Sequence, residues 1–268
     1  MAVVGDIADV VGRCPGVFGV YARNLTTGDC VDVDADRVLA TESAAKTFIL
    51  VHYAALVAAG ACDPTSRVEL EDEHRLLGTG VLRYLAPGLS PTLDDLAWLM
   101  IVVSDNVATA MLMGAVATPD DVNATMARLG LPTARMTPDI TLEKAMAGEP
   151  FATSTPRDLA EVYTHLDERC RRMLFRQQHL IGLPRRLPHA ADAADLGFDL
   201  PVRVYNKTGN GVGRFIDSGL FETQDASWVV AAMASEQPDF ASRADDIAPT
   251  AFAEIGELLY DAWANAAT

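Results

Sequence analysis

The stretch Val202-Arg-Val-Tyr-Asn-Lys-Thr-Gly-Asn-Gly-Val-Gly-Arg-Phe-Ile-Asp-Ser-Gly-Leu-Phe-Glu222, continued by Trp228-Val-Val-Ala-Ala-Met-Ala234, decides the fold. Short blocks of β-branched, aromatic and small apolar residues, broken by glycines, predict strands over 202–205, 213–222 and 228–234. The period then returns to that of a helix over Ala251–Ala264. At the other end of the chain, residues 2–12 read as a short amphipathic helix. Phe18, Val20, Ala22 and Leu25 mark a strand over Val17–Leu25, and Thr26-Thr27-Gly28-Asp29 makes a turn into Cys30-Val-Asp-Val-Asp34, its partner. Between the two ends the pattern is helical. Phe48, Leu50, Val51, Ala54, Ala55 and Val57 place a largely buried helix over Ser43–Gly60, and Leu93–Met100 and Val107–Val116 follow, the former with Asp94 or Asp95 near its start. Pro156, with Ser154 or Thr155 as cap, opens a helical pattern that runs through Leu159–Leu174. Strands at both ends with helices between them predict an α+β fold, in which an antiparallel sheet joins the N- and C-terminal segments beside a mainly helical lobe. No long Gly/Ser or Pro-rich linker interrupts residues 30–235. The expected organisation is therefore a single domain over 1–268, with an α/β lobe of about 1–42 and 200–268 and a helical lobe of about 43–199.

The chain has 268 residues, half of them hydrophobic, with no internal repeat, and can bury one sizeable core. Its 37 acidic and 21 basic residues give a formal charge of −16, which repels nucleic acid and anionic lipid surfaces. The basic cluster Arg169, Arg171, Arg172, Arg176, Arg185 and Arg186 is the local exception and reads as a solvated helix face. The longest apolar run, Leu96–Val103, is far short of the ~20 residues that span a bilayer. The first residues, Met1-Ala-Val-Val-Gly-Asp6, lack the cationic and apolar regions of a signal peptide, so the expected location is the cytoplasm. Cys14, Cys30, Cys62 and Cys170 and the five histidines show no ligand spacing, so neither a metal nor another cofactor is expected. His179 is read as structural. The expected partner is a small-molecule substrate, and the oligomeric state is not written in the sequence.

Three short signatures occur in order: Ser43-Ala-Ala-Lys46, Ser104-Asp105-Asn106 and Lys207-Thr208-Gly209. A chain of this length holds roughly one SxxK by chance, whereas SDN and KTG are each expected only about 0.05 times. Each signature has a physical role in acyl transfer. The i,i+3 spacing sets the Lys46 side chain one turn beyond the Ser43 hydroxyl on the same face, where it accepts the hydroxyl proton if neutral or polarises the oxygen if charged. At a helix N-terminus the backbone N–H of Ser43 also faces a developing oxyanion. Ser104 can relay a proton to a leaving group, Asn106 can hold Lys46 or a substrate amide, and Asp105 can brace the turn. On a strand, Lys207 tunes Ser104 and binds an anionic group, Thr208 hydrogen-bonds a carboxylate, Gly209 admits substrate to the backbone, and the N–H of Asn210 supplies a second oxyanion donor.

With these residues the sequence resembles the class A β-lactamases and penicillin-recognising serine hydrolases, and more narrowly the serine hydrolases described as the β-lactamase enzyme family. The resemblance covers nearly the whole chain. It includes Tyr21-Ala-Arg-Asn-Leu-Thr-Thr-Gly28 at the opening hairpin and Leu93–Val103 before SDN, and the signatures stand 61 and 103 residues apart. It implies a five-stranded antiparallel sheet and a catalytic serine between two lobes.

Departures from that pattern cluster in one loop. The family resolves its acyl-enzyme with a glutamate in a Glu-x-x-Leu-Asn pattern upstream of Thr-Pro, because deacylation needs a base that holds water. Counting back from Thr155-Pro156 places Asp139 at the glutamate, Leu142 at the leucine and Glu143 at the asparagine, so Asp139 and Glu143 are the candidate bases. The family's arginine–aspartate brace falls on Thr137 and Ala152, which cannot form it. Arg214 is the candidate for the family's carboxylate-binding arginine, at an unusual offset.

The expected function is a serine hydrolase that acts on a β-lactam, amide or ester through an acyl-enzyme. Two rivals are an intracellular esterase, amidase or acyltransferase of specialised metabolism, and a penicillin-binding sensor or scaffold that acylates and stops or never reacts.

Overall fold

The computed structural model describes residues 2–74, 76–138, 149–189 and 191–264. Helix α1 (Ala2–Gly12) leads into β1 (Val17–Asn24) and β2 (Cys30–Val33), the opening hairpin. After the short strand β3 (Leu39–Ala40), a 3-10 turn over Glu42–Ala45 runs into α2 (Lys46–Ala58). The helices α3 (Leu93–Val102), α4 (Asn106–Val116) and α5 (Pro119–Arg128) follow, then β4 (Arg135–Met136) and β5 (Ala152–Ser154). Next come α6 (Pro156–Glu161), α7 (Glu168–Leu174) and α8 (Ala191–Asp195), the strands β6 (Arg203–Gly211), β7 (Arg214–Glu222) and β8 (Ser227–Ser235), and α9 (Ile247–Trp263).

The main sheet has the order β2-β1-β8-β7-β6 and is antiparallel throughout, as the alternation at both chain ends implied. β1 pairs with β8 along its whole length, from Val17 opposite Ser235 to Asn24 opposite Trp228. Its central strands are apolar on both faces because both are covered. One face, including Tyr205, Ile216, Leu220, Val229, Ala231 and Met233, packs on α2–α7. The other, including Val204, Phe215, Phe221, Trp228 and Val230, packs on α1 and α9 through Ile7, Val10, Phe252, Ile255 and Leu259. Edge strand β6 leaves one side of its backbone to the site.

Side-chain caps fix the helix starts. Thr92 accepts from Asp95 N at 3.0 Å while the Asp95 carboxylate accepts from Thr92 N at 2.9 Å, a reciprocal capping box at α3. Thr155 caps α6, with Pro156 at its first position. The helical pattern expected to run through Leu159–Leu174 is broken: α6 passes into a 3-10 turn at Val162–His165, and Asp167, which accepts from Cys170 N, starts α7 afresh. The closing helix begins at Ile247, four residues before the apolar spacing, because Pro249 fits the first turn where a missing N–H costs nothing. A second small sheet, β3-β5-β4, lies outside the sequence expectation; strands of two or three residues carry no readable period.

Four of the six arginines of the basic cluster are paired with acids. Arg169 meets Asp94, Arg171 meets Glu222, Arg176 meets Asp195 and Arg186 meets Glu257. No helix among the described residues is long and apolar enough to cross a membrane, and these residues hold no group of three or more His, Cys, Asp or Glu able to hold a metal.

Candidate active site

The three signatures converge on a cleft of about 140 Å³ lined by Ser43, Gly78, Thr79, Ser104, Asn106, His179, Thr208 and Asn210. Ser43 lies on the 3-10 turn, and Lys46 is the first residue of α2. Three residues per turn stack positions i and i+3, which sets Lys46 directly beyond Ser43. Glu42, just before Ser43, is held at φ +47°, and Ser104 at φ +56°. A left-handed backbone at a non-glycine residue costs of order 1 kcal/mol and persists only where the surroundings impose it.

At Ser43 the surroundings are β6. A Cβ added to Gly209 would lie 2.4 Å from Thr41 O, 2.9 Å from Ala44 N and 3.0 Å from Ser43 N, so only glycine lets the strand dock on the turn. At Ser104 the turn is braced by Asp105. Its carboxylate accepts from Val81 N (2.6 Å), Leu82 N (2.9 Å) and Ala108 N (3.0 Å), capping α4 and tying the 78–82 loop to it.

Two buried lysines meet at Ser104. Lys46 Nζ donates to Ser104 O at 2.6 Å, Ser104 Oγ at 3.1 Å and Asn106 Oδ1 at 2.8 Å. Lys207 Nζ donates to the same Ser104 Oγ at 3.0 Å and to Thr208 O at 2.9 Å. Lys46 is 2% exposed and Lys207 wholly buried. Desolvation disfavours the charged form of each. Burial and the neighbouring Lys207 push Lys46 well below the ordinary lysine range, against the pull of Asp105. Burial brings Lys207 down to about 7, opposed by Asp217.

Asp217, on β7 opposite Thr208, was not foreseen; it does not line the cleft but acts on Lys207 through its charge. Burial raises its carboxyl to about 7, although Asn206 Nδ2 and Leu183 N donate to it at 2.9 Å each. An acidic residue inside the apolar run Phe215-Ile-Asp-Ser-Gly-Leu-Phe221 is the signal that could have found it. His179, read as structural, lines the cleft; Gln177 Oε1 accepts from its backbone N–H at 2.9 Å, and its buried Nε2 has no hydrogen-bond partner.

Asn106 spends its amide on both sides, with Oδ1 on Lys46 and Nδ2 donating to Leu77 O at 3.0 Å. Asn210 Nδ2 donates to Ala241 O at 3.1 Å. Arg214 stands apart from the cleft lining. Its Nη1 donates to Glu42 Oε1 at 2.8 Å, across Gly211, where a Cβ would meet the Glu42 carboxylate. Asp139 and Glu143 lie outside the described residues. At the flanks of that loop, Thr137 bonds Pro150 and Phe151 while Ala152 pairs with Met136, so a backbone ladder occupies the place of the family's ionic brace.

Comparison with known proteins follows this geometry. The β-lactamase from Sphaerobacter thermophilus DSM 20745 is 26% identical over 97% of this chain and 96% of its own, with a TM-score of 0.82. The protein PBP-A, 23% identical over 98% and 96%, has a TM-score of 0.82. A class A β-lactamase from Mycobacterium abscessus, 20% identical over 97% and 98%, has a TM-score of 0.81; at these identities the last two speak for the fold alone. No curated protein matches the sequence. The model of the Beta-lactamase enzyme family matches residues 2–263. Spanning that match from α1 to α9, the chain belongs to the Beta-lactamase enzyme family and is a β-lactamase-like serine hydrolase.

Proposed function

We propose that Ser43 is the nucleophile of an acyl transfer from a small-molecule β-lactam, amide or ester, with water as the final acceptor. The observation that carries this reading is the convergence of two buried lysines on Ser104 Oγ, at 3.1 and 3.0 Å, beside a cleft that Ser43 lines. Two ammonium groups so close in a dry site repel, so one amine is neutral and can act as a base. Lys46, held well below the ordinary lysine range, takes the proton of Ser43 as Oγ attacks the carbonyl carbon. The oxyanion forms between the N–H groups of Ser43 and Asn210, where preorganised donors are worth most. Ser104 passes a proton to the leaving group as the acyl bond breaks, and Lys207 holds the Ser104 oxygen and replaces its proton. Thr208 and Asn106 line the bound substrate. Asp139 or Glu143 supplies the base for the water that releases the acyl group, a role that rests on their count from Thr155-Pro156. The same reading takes the chain as one unit, since its cleft draws Lys46 and Ser104 from the helical part and Lys207 from the sheet.

The test is turnover of nitrocefin and p-nitrophenyl esters by wild type and Ser43→Ala, with intact mass recorded after each substrate. A loss of at least about 10³-fold in Ser43→Ala, with the acyl adduct confined to wild type, is expected. Equal turnover in both would falsify the assignment of Ser43. A stable adduct without turnover would instead favour the sensor.

A further inference from the structure

Among the described residues, none that lines the cleft is an arginine or a lysine. Arg214, the residue placed to meet a substrate carboxylate, is paired with Glu42 at 2.8 Å and is not part of the lining. His179 does line it, but burial and the nearby Lys207 and Lys46 disfavour its charged form, against a backbone hydrogen bond at Val103. Lys46 is engaged with three oxygen acceptors and Lys207 with two. The formal charge of −16 further lowers the local concentration of anions.

Among the described residues, three large apolar side chains stand exposed beside the same cleft. On one side Leu77, 69% exposed, immediately precedes the lining residues Gly78 and Thr79, and its carbonyl is bonded by Asn106. On the other side Val212, 81% exposed, tips the β6–β7 hairpin two residues beyond Asn210. Phe240, 72% exposed, sits between Asp239, whose carbonyl approaches Gly213, and Ala241, whose carbonyl is bonded by Asn210. Large apolar side chains at the mouth of a polar cleft mark the path of an apolar group of the ligand.

We propose that the site takes uncharged esters or amides with an apolar acyl arm, laid against Leu77, Val212 and Phe240, in preference to substrates that carry a carboxylate. This rests on the acyl-transfer reading above and narrows its substrate class.

The experiment compares kcat/KM for p-nitrophenyl acetate, butyrate and hexanoate with that for mono-p-nitrophenyl glutarate, which ends in a carboxylate. One fully buried methylene is worth roughly fourfold, so partial cover predicts a rise of about tenfold from acetate to hexanoate. The glutarate ester is expected to fall about tenfold or more below the hexanoate. In the surface variants Leu77→Ser, Val212→Ser and Phe240→Ser, combined in one chain, the hexanoate-to-acetate ratio drops to within about twofold of one. A flat chain-length profile, a ratio untouched by the three substitutions, or glutarate turned over as well as hexanoate overturns the proposal while acyl transfer stands. No ester turnover and no adduct at Ser43 overturns both.

Discussion

The two walls of the cleft treat the same buried cation differently. On the helical wall Lys46 faces neutral acceptors, Ser104 O, Ser104 Oγ and Asn106 Oδ1, and feels the charge of Lys207. The counter-charge that acts on it, Asp105, has its oxygens occupied by three backbone N–H groups. On the sheet wall Lys207 has Asp217 buried with it, and this carboxylate props up the charged form. Two lysines that share one serine oxygen thereby stand in unequal fields, which under the proposed acyl transfer suits Lys46 to the base and Lys207 to the proton donor. On that reading the difference comes from the placement of a carboxylate rather than from residue type.

Removing the helical lysine breaks the comparison most directly. Lys46→Met should lower kcat/KM by about 10³-fold while the melting temperature holds or rises, because a neutral chain replaces a buried amine that is charged when unfolded. Steady-state kinetics beside thermal melts checks this; a loss under about tenfold would show that Lys46 is not the base.

Asp217→Asn sharpens the sheet side. Wild type should lose kcat/KM above about pH 7 as Lys207 gives up its proton, and without Asp217 that limb should move to lower pH. The stability profile supplies a second reading. A carboxyl at about 7 in the fold and about 4 unfolded binds its proton more tightly when folded, so its contribution is full below pH 4 and lost as pH rises through 7. Asp217→Asn should remove that falling slope in denaturant titrations; a pH–rate profile and a stability slope both unmoved would separate Asp217 from Lys207.

The smallest effect is expected at the rim. Glu42→Gln frees Arg214 of its ion pair, and the glutarate-to-hexanoate ratio of kcat/KM should rise by about two- to fivefold. An unchanged ratio would mean that Arg214 cannot reach the cleft even when released.

Much of this was legible in the sequence because its marks are local. Alternation in Cys30–Val33 and the blocks of 203–235 write strands directly, and Ser43, Lys46, Ser104 and Lys207 announce themselves by short spacings. The cap of α6 was readable as Thr155-Pro156. Other features depend on what packs where. Leu166-Asp167 interrupts a helix whose apolar spacing carries on unbroken, since Asp167 satisfies the amide of Cys170 more cheaply than a continued turn would. Asp217 becomes significant only once β7 is laid beside β6, and Arg214 could be separated from the cleft only by finding Glu42 next to it. His179 reads as an ordinary core histidine until residues 177–179 are seen tied to the end of α3 through Gln177 Nε2 on Ile101 O and Gln178 N on Val102 O.

The pairing of β1 with β8 has a consequence for how the molecule is made. β1 is synthesised early, yet its inner edge is filled only by residues 228–235, so the opening hairpin must wait for nearly the whole chain. Closing a loop of some two hundred residues before the central pairing repays it makes for slow folding. In the interval Phe18, Val20 and Ala22 present an apolar open edge, the kind of surface on which chaperones act and from which aggregates grow. Recovery of catalytic turnover after dilution from denaturant therefore times the last long-range event of folding, since neither Lys207 nor the strand that seats Ser43 is in place until the sheet has closed.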